Sequence, residues 1–176
     1  MQIFRLRTSM VCIAMLAVVL ASGFSASAQD NTSDQPLFLR YPTIPHFSVI
    51  TADGKTFTEK DLKKNTPTLI FLFSVDCEHC HHETEDIVQH IKQFKGTQIL
   101  MVTHFPVNDM IQYTHDYHLD QYPKIITVAT DEKRWLLSFY RLHFFPGLYI
   151  YNSRQELVYH AEGTRPADTL LHYLKP

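Results

Sequence analysis

The chain has 176 residues, with 16 Lys+Arg against 18 Asp+Glu and a formal net charge of −2. No basic stripe runs along it, which argues against a nucleic-acid partner. Its 3 cysteines are too few for a framework of structural disulfides.

Arg5 and Arg7 open the chain, residues 10–20 are almost wholly apolar, and Ala26-Ser27-Ala28 forms an A-x-A-like junction. That order predicts a secretory signal peptide over residues 1–28, cleaved after Ala28, and so a periplasmic or otherwise extracytoplasmic protein. An uncleaved anchor is the competing reading, against which the apolar run is short for a membrane span. Cys12 leaves with the leader, so the exported chain keeps Cys77 and Cys80 alone. Residues 29–40 read as a flexible polar linker, and residues 41–176 as one domain.

Within the domain, residues 47–50 and 55–57 flank Ala52-Asp53-Gly54, a hairpin signal. Residues 58–62 read as one capped helical turn. Leu69-Ile70-Phe71-Leu72-Phe73 is an unbroken apolar run, suited to a strand buried on both faces. Asp76 is placed to cap a helix that opens with Cys77 and runs to about residue 95, where Gly96 stops it. Ile87, Ile91 and Phe94 mark its buried face. Then come a strand over 97–103, a helix over 107–118, a strand over 125–129, and a helix over 133–142 with Trp135, Leu136 and Phe139 inward. Strands over 148–151 and 156–160 form a closing hairpin, and a helix over 168–174 ends the chain. The alternation predicts an α/β protein of thioredoxin-like architecture: a mixed central sheet flanked by helices, with an N-terminal β-hairpin extension.

The chemistry concentrates in Cys77-Glu78-His79-Cys80. Two cysteines separated by two residues close too small a loop to stabilise a fold, so the pair reads as redox-active. At a helix start, unpaired N–H groups and the positive end of the macrodipole favour a thiolate at Cys77. Cys77 would attack a disulfide, and Cys80, one turn on, would resolve the mixed disulfide. His79 and Glu78 are the residues placed to tune the potential, in opposite directions. Potentials for such pairs span roughly −270 to −120 mV, which leaves the direction of exchange open. Glu83 falls on the inward side of the same helix; it is either a partly desolvated proton shuttle for Cys80 or a glutamate favoured by the helix dipole. His81 and His82 fall toward solvent. Phe145-Pro146 precedes a strand at a point where proline cannot join the ladder; a cis bond there would aim Phe145 at the cysteines.

These features resemble the TlpA/ResA-like thiol–disulfide oxidoreductases of bacterial envelopes, a branch of the thioredoxin superfamily, over nearly all of residues 43–174. The likeness rests on Ile44-Pro45-His46-Phe47, on Asp53-Gly54-Lys55, on residues 69–73 followed by Cys77-Glu78-His79-Cys80, and on residues 140–163. The resemblance implies that Glu83 takes part in cysteine proton chemistry and that Pro146 is a cis-proline contacting substrate. It also implies protein thiols or disulfides as substrates, an upstream redox partner, a monomer, and no cofactor. Asp76 stands where the family usually has Trp, and His79 where a proline commonly precedes the second cysteine. Phe145 is bulkier, and Gly147 smaller, than the usual neighbours of the proline.

Three other readings compete. Cys77, Cys80, His79, His81 and His82 are ligand types suited to copper or zinc, although no second C-x-x-C or H-x-x-x-H pair completes a site. A peroxidase of the same fold needs Pro-x-x-x-Thr-x-x-Cys, and Ile70 and Ser74 occupy the Pro and Thr positions. The third is a binding module that keeps the fold without turnover.

Overall fold

The computed structural model describes residues 34–175. The leader expected over residues 1–28 lies outside the described residues, as do residues 29–33 of the linker. The remainder of that linker is not featureless. Helix α1 (Leu37–Arg40) carries Phe38, only 5 % exposed, whose ring centroid lies 5.2 Å from Tyr149 and 5.7 Å from Tyr140. Leu37-Phe38-Leu39 is an apolar run inside the stretch read as a polar linker, and burial of the Phe38 ring holds the turn.

The N-terminal hairpin is β1 (Ser48–Thr51) and β2 (Thr56–Thr58), and Thr58 and Asp61 form a capping box over the 3₁₀ turn that follows. Next come β3 (Thr68–Phe73), α2 (Glu78–Gln89), β4 (Gln98–Thr103), α3 (Val107–Asp116) and β5 (Ile126–Thr130). Helix α4 (Trp135–Tyr140), β6 (Gly147–Tyr151), β7 (Leu157–Glu162) and α5 (Ala167–Leu174) complete the described residues. The strands form one sheet in the order β2-β1-β5-β4-β3-β6-β7. Strands β3, β4 and β5 are parallel, while β6 and β7 on one side and β1 and β2 on the other run antiparallel. This is the mixed sheet and hairpin extension expected of the sequence.

Alternation along β3 splits the core. Leu69, Phe71 and Phe73 face one layer with Cys80 and Ile87 of α2, Tyr113 of α3 and Leu170 of α5. Ile70 and Leu72 face the other, with Phe38, Leu136 and Phe139 of α4, and Tyr140, Tyr149 and Tyr151. With helices on both faces, all six residues of β3 are buried.

Two expectations shift in detail. Helix α2 ends at Gln89 rather than near residue 95; His90 caps it, and a 3₁₀ turn over Ile91–Phe94 keeps Ile91 and Phe94 buried. Helix α4 begins two residues later than predicted, after Arg134 in the left-handed region (φ 57°). The inward face is therefore Leu136, Phe139 and Tyr140, and Trp135 turns outward, 45 % exposed and stacked on Phe139 at 5.4 Å. Among the described residues, no helix is long and apolar enough to cross a membrane.

Candidate active site

Register sets the position of the site. Phe73 of β3 pairs with Thr103 of β4, and Leu72 pairs with Gly147 of β6. The turn after β3, the residues after β4 and the residues before β6 therefore meet at one edge of the sheet, where ligands gather in open α/β folds. Cys77, His104 and the Phe145-Pro146 segment come from these places, and the Phe145–Pro146 peptide is cis.

Cys77 is the N-cap of α2 rather than its first residue, and its Sγ accepts the Cys80 N–H at 3.3 Å. The sulfur does what the Asp76 carboxylate was expected to do. Asp76 instead accepts a short hydrogen bond from the Ser74 hydroxyl. A backbone donor is thus aimed at a partly exposed sulfur at the head of the helix.

Cys80 is fully buried. Burial pushes its thiol far above the usual range, and the neighbouring Cys77 and Glu83 push the same way. The helix start is braced from α3: Tyr113 Oη donates to the Cys80 carbonyl at 3.2 Å and pairs with Thr84 Oγ1 at 2.8 Å. The Tyr113 ring in turn packs 4.6 Å from Phe73.

Glu83 projects inward and is 2 % exposed. Its Oε2 accepts the Arg165 N–H at 2.7 Å, while Oε1 is buried without a partner. Burial raises its carboxyl to about 7, the Arg165 N–H opposes that rise, and the nearby Asp86 adds to it. Asp86 Oδ2 takes the Ala167 N–H at 2.7 Å, so two carboxylates of α2 pin the turn into α5. A cleft of about 330 Å³ lined by His79, His82, Glu83, Asp86 and Arg165 connects this place to the surface. The larger groove, about 660 Å³ and lined by Phe47, Ile50, Asp131 and Trp135, holds none of these groups.

Glu78 and His79 are both exposed, His79 at the mouth of the smaller cleft. His82 stands in solvent between Glu78 (3.7 Å) and Glu85 (3.8 Å). His81 does not: it is half-buried, its Nδ1 2.6 Å from Tyr117 Oη and its ring against Tyr113. Tyr113 of α3 and Tyr117, which caps that helix, lie close enough to cover it, neighbours that spacing within α2 cannot reveal. Among the described residues, no group of three or more His, Cys, Asp or Glu is placed to hold a metal ion.

Sequence reasoning passed over His104 and Glu162. Glu162 accepts the N–H groups of His143 (3.1 Å) and Phe144 (2.9 Å), clamping the loop before Pro146 and leaving Phe144 73 % exposed. The His104 ring stacks on Phe145. The one available signal was position, since His104 directly follows a buried strand at the sheet edge that also carries Cys77. Gly147 has a steric reason: a Cβ there would lie 2.6 Å from Leu142 Cδ1 and 3.1 Å from Tyr149 Cε2.

A three-layer mixed α/β sheet with a cysteine pair at the head of α2 defines a thioredoxin-like protein. The chain belongs to the AhpC/TSA family, matched over residues 42–160. No curated protein matches it. Among solved structures it is similar to a secreted disulfide oxidoreductase of Mycobacterium tuberculosis homologous to E. coli DsbE, at 16% identity and a TM-score of 0.62, covering 73% of this chain and 93% of that one. A putative thiol:disulfide interchange protein DsbE from Chlorobium tepidum matches at 20% identity and TM-score 0.61, covering 76% and 96%. A peroxiredoxin-like protein from Aquifex aeolicus matches at 14% identity and TM-score 0.60, covering 75% and 83%. At these identities the likeness is one of fold.

Proposed function

We propose that this chain is an exported thiol–disulfide oxidoreductase that exchanges disulfides with protein substrates through Cys77 and Cys80. The observation that carries the reading is the pairing of a partly exposed N-cap sulfur with a buried thiol one turn on, backed by a buried carboxyl near its balance point. In the reductive direction the Cys77 thiolate attacks a substrate disulfide, forming a mixed disulfide and releasing one substrate thiolate. Cys80 then gives its proton to Glu83 and attacks the Cys77 sulfur. The second substrate thiolate leaves, and two electrons have passed from the pair to the substrate. The reverse sequence inserts a disulfide.

Glu83 fits the relay because the buried Cys80 cannot ionise without a local acceptor, and a carboxyl at about 7 both takes and returns protons near neutrality. His79 and Glu78 are the groups that set the potential, and Phe145-Pro146 with its clamped loop is the surface that meets the substrate. An upstream thiol protein completes the cycle, and the working unit is a monomer without a cofactor.

The peroxidase alternative finds no support in the loop it requires: Ile70 is buried mid-strand opposite Leu100 and Tyr149, and Ser74 is tied to Asp76. The test is insulin disulfide reduction with dithiothreitol as electron source. Cys77→Ser is expected to remove catalysed turnover, a loss on the order of 10³-fold or down to background. Turnover equal in the variant and the parent would refute the assignment, and none in either would favour a binding module.

A further inference from the structure

His104 belongs to none of the roles above, yet it is built into the site. Extending the β3–β4 register by one residue and the β3–β6 register by two places His104, Ser74 and Phe145 in a row across the ends of β4, β3 and β6. Residues two strands apart are separated by roughly 9.6 Å along the sheet. The His104 and Phe145 rings nonetheless stack at 5.6 Å and 16°, so they lean together over the end of β3, next to the turn that leads to Cys77. Phe105 closes on His104 from another side at 4.8 Å. Within this packing His104 Nδ1 is buried without a hydrogen-bond partner. With no hydrogen bond at Nδ1, the ring holds its neighbours through its stacked faces, a contact that another aromatic ring could make.

We propose that His104 is a positioning residue: its ring braces Phe145, and through it the 143–146 loop, in the orientation that receives a protein disulfide. The inference rests on the proposed reading of that loop as the substrate-facing surface. The loop is held from two sides. Glu162 fixes its main chain at His143 and Phe144, and His104 fixes the side chain next to Pro146. A small disulfide needs the sulfurs alone, whereas a protein segment must also lie along the loop, so the brace acts on one substrate and not the other.

The experiment compares wild type, His104→Ala and His104→Phe on reduction of insulin and of hydroxyethyl disulfide. In His104→Ala the insulin rate is expected to fall ~3–10-fold while the hydroxyethyl disulfide rate holds, and His104→Phe, which keeps a stackable ring, restores the wild-type ratio. Loop order is read separately as the rate of chymotryptic cleavage after Phe144: several-fold faster in His104→Ala and near wild type in His104→Phe. Should His104→Ala fail to fold, His104→Gln replaces it and is expected to behave as Ala does. An unchanged insulin ratio and cleavage rate in the truncated variant would overturn the proposal, as would failure of the Phe variant to restore either. If no protein, wild type included, reduces either disulfide, the oxidoreductase reading fails while the cleavage rates still judge the brace.

Discussion

The two faces of the sheet both bury polar side chains, and they treat them differently. On the face that carries α4, Tyr140 and Tyr151 are fully buried and their hydroxyls meet at 2.8 Å. Burial raises both phenols far above the ordinary range, so they stay neutral and pair with each other. On the face that carries α2, Glu83 is as thoroughly buried but leaves one carboxylate oxygen bare. A satisfied pair stabilises a core; a half-satisfied, titratable one keeps a cost that packing does not require. That contrast separates structure from chemistry more clearly than burial does.

Glu83→Gln sharpens the contrast most. Without a group that exchanges protons at neutral pH, disulfide exchange is expected to slow by about 10- to 100-fold, measured as insulin reduction at pH 7. The stability change has the opposite sign. The native carboxyl titrates at about 7 against the ordinary 4.5, so the folded chain holds a proton that the unfolded chain releases in this window. Wild-type stability therefore falls as pH climbs from about 4.5 to 7 and is fully present below it. Gln removes that slope: the variant is expected to be more stable than wild type by about 1–3 kcal/mol at pH 8 and nearly equal at pH 4. Denaturant melts at the two pH values check this, and a variant less stable at pH 8 would contradict it.

Tyr151→Phe probes the other face with a smaller effect. It leaves the Tyr140 hydroxyl buried and unpaired, which is expected to destabilise the chain by about 1–2 kcal/mol with exchange rates unchanged. The Tyr140→Phe/Tyr151→Phe double variant should lose less than the sum of the single losses, because neither hydroxyl is then stranded. Additive losses in chemical denaturation would show that the two groups do not work as a pair.

Much of this was visible in the residues. The apolar run over residues 69–73, the C-x-x-C at a helix start and the inward placement of Glu83 could be read from local spacing, although what Glu83 does there could not. Boundaries were less visible: Cys77 displaced Asp76 as the cap because sulfur can accept an N–H, and Arg134 in the left-handed region rotated α4 and put Trp135 outside. Tertiary partners were hidden. Nothing near Phe38 in sequence announces Tyr140 and Tyr149, and nothing near Glu83 announces the main chain of Arg165, 82 residues away. The stack of His104 on Phe145 joins strand ends that only the sheet order brings together.

The most direct test of the proposed chemistry is equilibration of residues 29–176 in glutathione buffers of graded potential, with the redox state of Cys77 and Cys80 read by thiol trapping and mass. The account predicts one reversible two-electron transition, loss of both thiols together, at a potential roughly between −270 and −120 mV. Thiols that oxidise independently, or a pair that stays reduced across the whole range, would contradict it.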